Sequence, residues 1–319
     1  MEKSYATTQP RIVVLAGGVG AARFLRGLSS CTEPRAVAVV VNTGDDEEFY
    51  GLRVSPDVDT VLYTLAGVAP IRRGWGIAAD TFHCLAALER FYGPAWFRLG
   101  DRDLATHLFR TQRLREGATL TQVTAELARA FGVQQAVLPM TDDRVSTFVR
   151  TREAGWLPFQ RYLVQHSATA HVEGIRFRGI RHARPTRQVL RALRHAEWFI
   201  LPPSNPLVSL GPILALPGIR AFLRTRKPQV LAISPIIGNT PVKGPLDRML
   251  QGLGYEVSPC GVAELYRDIA SVFVLDRTDA HHAEHVARLG MKPVLADILI
   301  TVPEKARFLA ELVLQELQR

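Results

Sequence analysis

Residues 37–63 read VAVVVNTGDDEEFYGLRVSPDVDTVLY, and the first half of this stretch decides the fold. The apolar run Val37 to Val41 stops at Asn42, Thr43 and Gly44. A short, continuous apolar run bounded by turn residues is the pattern of a strand buried on both faces of a parallel sheet. Four acids follow, Asp45 to Glu48, and Asp57 and Asp59 stand in a second turn-like patch after Pro56. In open α/β sheets, ligands sit beyond the carboxyl ends of the strands. Carboxylates gathered there repel one another unless a divalent metal or a basic substrate group joins them. Glu47 and Glu48 fit a solvated loop, because such charges are rarely buried. Asp45, Asp46, Asp57 and Asp59 are tied to Asn, Gly and Pro turn chemistry and read as functional. An acid at a helix start also serves as a cap, so Asp59, where a helix to Ala66 is expected to begin, keeps both readings.

Upstream, Arg11 to Gly20 reads RIVVLAGGVG, a strand running into a glycine turn, and AARFLRGLSS continues with helical spacing of Phe24, Leu25 and Leu28. Strand, glycine turn and helix start together let backbone amides approach an anion. Gly17, Gly18 and Gly20 are the candidates, with Arg23 one turn into the helix. No GK[ST] follows, so this is not a P-loop, and it is not a full GxGxxG. An acid that would bind a ribose at the end of the second strand is also missing, since Asn42 stands there, which argues against a nicotinamide dehydrogenase.

Composition narrows the class. The chain has 319 residues, 47% hydrophobic and 22% charged, with net charge +9. Such a length buries a large core in one large or two unequal domains. The basic balance suits anionic partners; with no helix-turn-helix, RNP-like or zinc-finger pattern, anionic small molecules are expected rather than nucleic acid. Cys31, Cys84 and Cys260 show no CxxC spacing, which argues against a zinc site or a disulfide framework. No apolar run reaches the roughly 18 residues of a membrane span. A cytoplasmic protein is expected, with residues 1–10 a disordered tail.

Further along, Arg72 to Thr81 places Trp75 on a glycine-rich loop, where an indole can stack on a flat ligand or plug the core. Arg98 to His107 concentrates Arg98, Asp101, Arg102, Asp103 and His107 beside Gly100, as in a substrate loop. From about 104 to 184 the βα alternation lapses, which reads as an inserted α+β subdomain forming one wall of the site. Strands are expected there at 159–164 and 171–177. The alternation returns at Gln188. The strands at 198–201 and 229–233 end in PPSNPLVSLGP and SPIIGNTPVKGP, offering Ser204, Asn205, Ser209, Ser234, Asn239 and Lys243 at strand ends. The last clear strand is Ser271 to Asp276. The expected fold is α/β: a Rossmann-like, mostly parallel sheet flanked by helices, one domain over 11–319 with the insertion.

Taken in order, GGVGAARFLRGL, VVNTGDDEEFYGLRVSPDVDTVLY, RGWGIAADTF, LGDRDLATHL, PMTDDRVST, PSNPLVSLGPIL and SPIIGNTPVKGP resemble the 2-phospho-L-lactate transferase family of coenzyme F-420 biosynthesis. The similarity runs from about Arg11 to the end. It implies transfer of a 2-phospholactyl or phosphoenolpyruvyl group from a guanosine diphosphate-linked donor to the deazaflavin FO, with release of GMP and a need for Mg²⁺. A homodimer is implied as well. By motif position, Asp46 and Asp59 are implied as metal or catalytic carboxylates, and Asp59 and Arg98 in FO binding, where Trp75 adds a stacking surface. The glycine loop (Gly17, Gly18, Gly20, Arg23), Asn42, Ser204, Asn205 and Ser209 fall to the donor nucleotide. The alternative is a non-catalytic nucleotide-sugar-binding regulator of the same fold; the stretch NTGDDEEFYG favours the transferase.

Overall fold

The computed structural model describes residues 10–318; the expected tail at 1–10 falls outside them except for Pro10. In chain order the strands are β1 (Ile12–Ala16), β2 (Val37–Val41), β3 (Glu47–Phe49), β4 (Leu52–Val54), β5 (Ala136–Pro139), β6 (Ser146–Thr151), β7 (Gly155–Pro158), β8 (Val172–Arg178), β9 (Trp198–Leu201), β10 (Val230–Ile233), β11 (Ile236–Ile237), β12 (Thr240–Pro241), β13 (Val272–Asp276) and β14 (Lys292–Ala296). The helices are α1 (Gly18–Cys31), α2 (Pro56–Leu65), α3 (His83–Tyr92), α4 (Asp101–Arg115), α5 (Leu120–Ala130), α6 (Arg187–His195), α7 (Gly211–Ala215), α8 (Ile219–Thr225), α9 (Leu246–Gly252), α10 (Pro259–Tyr266), α11 (Ala283–Arg288) and α12 (Pro303–Leu317).

Seven parallel strands form the main sheet in the order β14-β13-β10-β9-β1-β2-β5. Alternate residues of β1 and β2 feed opposite cores. Val13, Leu15, Ala38 and Val40 join the layer that holds α6, α8 and α10. Ile12, Val14, Ala16, Val37, Val39 and Val41 join the layer that holds α1, α2, α5 and α12. The sheet is therefore covered on both faces, which is why its strands carry continuous apolar runs instead of alternation.

The chain builds outward from β1 through β2 to β5, then returns beside β1 with β9 and builds the other way. That reversal is a switch point, and the crevice beyond the ends of β1 and β9 is the expected ligand position. The two loops there are in tight contact: a Cβ on Gly20 would lie 2.0 Å from the Pro203 carbonyl oxygen, and one on Gly17 would lie 2.8 Å from the Ser209 Cβ. Glycine is required at both points by close approach.

The region 104–184 is not one insertion. β5 lies within it and pairs with β2 in the main sheet, while α5 packs in the α1 layer. What stands outside the main sheet is the antiparallel sheet β7-β6-β8. The segment expected as a strand at 159–164 instead contains a π-helical turn over Arg161–Gln165. β14, at the sheet edge and only partly buried, lies beyond the expected last strand.

Candidate functional site

Four aspartates meet at the end of β2, and the structure divides them by helix geometry. Asp57 and Asp59 both lie in the first turn of α2. Residues two apart on a helix point about 200° apart, so the two acids face different partners. Asp57 faces the switch point, where its carboxylate accepts the Gly18 amide at 2.8 Å and the Asn42 side-chain amide at 2.9 Å. Asn42 is fully buried, and its oxygen accepts the Gly44 amide at 2.8 Å. Asn42 thus joins the start of α2 to the loop after β2. Asp59 faces α4, where both its oxygens meet the guanidinium of Arg110.

Asp45 and Asp46 complete the group. Ser55 donates to Asp46 Oδ2 at 2.7 Å. The other oxygen of Asp46, Oδ1, is buried without a hydrogen-bond partner, as is Asp45 Oδ1. The hydroxyls of Thr43, Thr147 and Ser204 are also buried and unpartnered. Burial, added to the charge of Asp57, pushes the Asp45 carboxyl well above the ordinary range. Burial raises Asp46 to about 7, against the Ser55 hydrogen bond and the Arg110 charge. Burial raises Asp57 to about 6, against its bonds from Asn42 and Gly18. Buried polar atoms are normally satisfied. Unpartnered carboxylate oxygens with a hydroxyl beside them form the donor set of a hard cation, for which oxygen ligands suffice. These oxygens of Asp45 and Asp46 would suit Mg²⁺, whereas Asp59, implied with Asp46 as a metal carboxylate, has both oxygens on Arg110 instead.

These acids open onto a cavity of about 390 Å³ whose walls include Asp45, Asp46, Thr147, Gln160, Arg144 and Arg178. That size matches a small-molecule site. Arg144 precedes β6 and Arg178 ends β8, so the antiparallel sheet supplies cations opposite the acids of the main sheet. No ion pair among the described residues engages either arginine.

The family model described as 2-phospho-L-lactate transferase CofD matches residues 12–312. This chain belongs to that family. A 2-phospho-L-lactate transferase of Methanosarcina mazei is 40% identical over 304 residues, covering 95% of this chain and 99% of the relative. A phosphoenolpyruvate transferase of Kitasatospora aureofaciens is 43% identical over 297 residues, covering 91% and 92%. A solved structure of a UPF0052-family protein from Bacillus halodurans has a TM-score of 0.62 at 17% identity, covering 96% of this chain and all of that one; it shares the fold.

Within this CofD-family chain, the expected site residues have distinct surroundings. Gly17, Gly18 and Ser209 meet at the switch point. Asn205 closes its own turn by accepting the Leu207 and Val208 amides at 2.9 and 3.2 Å. Arg23 donates away from the glycine turn, to the carbonyls of Arg72 and Ile300 at 2.7 and 3.4 Å. Trp75 is 38% exposed, with the Arg73 guanidinium 4.4 Å from its ring centroid. Arg98 is exposed and stacks on Phe82 at 4.4 Å. Neither Trp75 nor Arg98 lines the 390 Å³ cavity. Asp101 does not pair with its neighbour Arg102: it accepts the His83 and Cys84 amides, both at 3.0 Å, at the start of α3. Asp80 reciprocates at α4, accepting the Arg102 and Asp103 amides at 2.9 and 3.1 Å.

Sequence reading passed over Arg110, Arg144, Thr147 and Arg178. A signal existed for the first. Asp103, His107 and Arg110 form a polar stripe at helical spacing, which is unusual on a helix face turned inward. Arg144 and Thr147 lie in the PMTDDRVST stretch, but nothing local shows that β6 and β8 reach the site, because they do so only through tertiary packing.

Proposed function

We propose that this chain transfers a 2-phospholactyl or phosphoenolpyruvyl group from a guanosine diphosphate-linked donor to the ribityl hydroxyl of FO, releasing GMP. The observation that carries the proposal is the pairing, across one cavity, of buried carboxylate oxygens lacking partners with two arginines. A diphosphate diester with a carboxylate on its acid half is matched by that layout. The names of the relatives support the group transferred.

Mg²⁺, when bound, neutralises charge on the diphosphate. Asp45 and Asp46 would hold it, with Thr147 beside them. Arg144 and Arg178 balance the remaining negative charge, and a two-nitrogen fork suits phosphate or carboxylate oxygens. The acceptor hydroxyl attacks the phosphorus that bears the acid ester, the bond from that phosphorus to the GMP oxygen breaks, and the hydroxyl proton passes to a carboxylate of the cluster. Positioning and charge stabilisation supply the acceleration, so no covalent enzyme nucleophile is required. Asp59, fixed by Arg110, and Arg98 with Trp75 are assigned to the acceptor; Gly17, Gly18, Ser204 and Ser209 are assigned to the nucleotide.

Incubation with FO, Mg²⁺ and each synthetic guanylyl donor, followed by mass analysis, tests the proposal. The expected result is FO gaining one 2-phospholactyl or phosphoenolpyruvyl group, with release of GMP. Absence of product with either donor, combined with thermal protection by nucleotide sugars alone, would establish a binding module instead.

A further inference from the structure

A chain of charged and polar side chains is buried between α2 and α4. Tyr63 Oη donates to Asp103 Oδ1 at 2.7 Å, and His107 Nε2 lies 3.2 Å from the same oxygen. His107 Nδ1 lies 3.2 Å from Arg110 Nη1, and the terminal nitrogens of Arg110 take the two oxygens of Asp59. Arg110 also donates to the Arg53 carbonyl at 3.3 Å and has no solvent exposure. The spacing makes two facing stripes. Asp103, His107 and Arg110 recur at i, i+4 and i+7 on α4, while Asp59 and Tyr63 stand at i and i+4 on α2.

Two apolar stripes would hold these helices together at least as well, because replacing a buried ion pair with packed apolar groups is often neutral or stabilising. Stability alone therefore does not account for the network. Its other end reaches the acid site through Ser55, whose carbonyl accepts the Asp59 amide at 2.9 Å and whose hydroxyl donates to Asp46 at 2.7 Å. A buried carboxylate without a partner carries a large desolvation penalty. The guanidinium cancels that penalty and fixes the carboxylate plane through two parallel contacts, a geometry that lysine cannot reproduce.

We propose that Arg110 is a positioning residue for the transfer reaction: it holds Asp59 in one orientation toward the acceptor, and His107, beside Asp103, holds Arg110. The inference rests on the transferase reading above. It assigns Arg110 no contact with substrate; the effect travels through Asp59.

The test compares Arg110→Lys, Arg110→Met, Asp59→Asn and the double variant Asp59→Asn/Arg110→Met. FO binding is followed by its fluorescence, GDP–Mg²⁺ binding by calorimetry, and kcat and KM by product formation. Arg110→Lys, which keeps the charge and loses the fork, is expected to lower kcat about 30-fold and weaken FO binding several-fold. GDP–Mg²⁺ binding should stay within about threefold of wild type. The double variant buries no unpaired charge and should fold even where Arg110→Met does not. Its kcat should equal that of Asp59→Asn within about threefold, because Arg110 has nothing further to act on. Wild-type kcat and FO affinity in Arg110→Lys would overturn the proposal. So would near-wild-type turnover in a folded double variant, or turnover far below that of Asp59→Asn alone. Product formation by the wild-type chain reads the transferase assignment by itself; the comparison among variants, through FO binding, reads Arg110.

Discussion

The carboxylate of Asp57 accepts the backbone amide of Gly18 at 2.8 Å. The N-terminus of α1, the point at which a helix attracts anions, thus has an anion supplied from within the chain. Removing the carboxylate strands two donors, the Gly18 amide and the Asn42 side-chain amide. Asp57→Ala is expected to cost about 1–3 kcal/mol per buried donor left unpaired. Urea unfolding checks this; an unchanged midpoint would mean that solvent satisfies both donors.

The unpartnered oxygens of Asp45 and Asp46 give a prediction about metal. In Asp45→Asn and Asp46→Asn, the rise in melting temperature that Mg²⁺ gives the wild type should largely vanish. Turnover should fall ~100-fold or more, about 1.4 kcal/mol per tenfold. Retention of both Mg²⁺ protection and turnover in the two variants would place the cation elsewhere.

Stability of the metal-free chain should depend on pH in a sense set by the raised carboxyls. Burial raises Asp46 to about 7 and Asp57 to about 6, whereas an unfolded aspartate titrates near ~3.9. Between roughly pH 4 and pH 7 the folded chain therefore binds more protons than the unfolded one, and stability falls as pH rises across that window. With EDTA present, melting temperature should decline from pH 5 to pH 8 more steeply in wild type than in Asp45→Asn/Asp46→Asn. Saturating Mg²⁺ should offset most of that decline. Parallel wild-type and variant profiles would contradict this origin.

Arg144 and Arg178 line the same cavity as Asp45 and Asp46. Arg144→Gln and Arg178→Gln should each weaken binding of GDP–Mg²⁺ about tenfold, the scale of one charge-assisted contact of about 1.4 kcal/mol. Folding should be unaffected, because both side chains are exposed. Calorimetric titration at fixed ionic strength decides the matter; an unchanged dissociation constant in both variants would remove them from the donor site.

How far the sequence revealed this arrangement depended on how local each feature is. β1, β2, β9, β10 and β13 were legible because a strand covered on both faces must be apolar throughout. β14 was not, because an edge strand starting Lys-Pro and only partly buried lacks that signature. The stretch 159–165 has the apolar content of a strand yet winds as a helical turn, with Tyr162 fully buried in the small core under the antiparallel sheet. At the site, the gathering of acids at the end of β2 was legible. The opposite orientations of Asp57 and Asp59 follow from helix phase, but only once the helix is known to start at Pro56. The partner of Asp59 lies 51 residues away, and no short-range pattern announces a contact of that span.

The packing of α12 against α1 has a consequence for the order of synthesis. Gly27 of α1 lies so near α12 that a Cβ there would sit 2.1 Å from the Ala306 carbonyl oxygen, and Phe24, Leu25 and Leu28 share their core with Leu309, Ala310 and Val313. The helix that opens the switch point is thus made well before its cover. Until residues 303–317 emerge, an apolar face beside the glycine turn stays open to water or to a chaperone. Helix α1 therefore waits for its cover until every strand of the main sheet has been made.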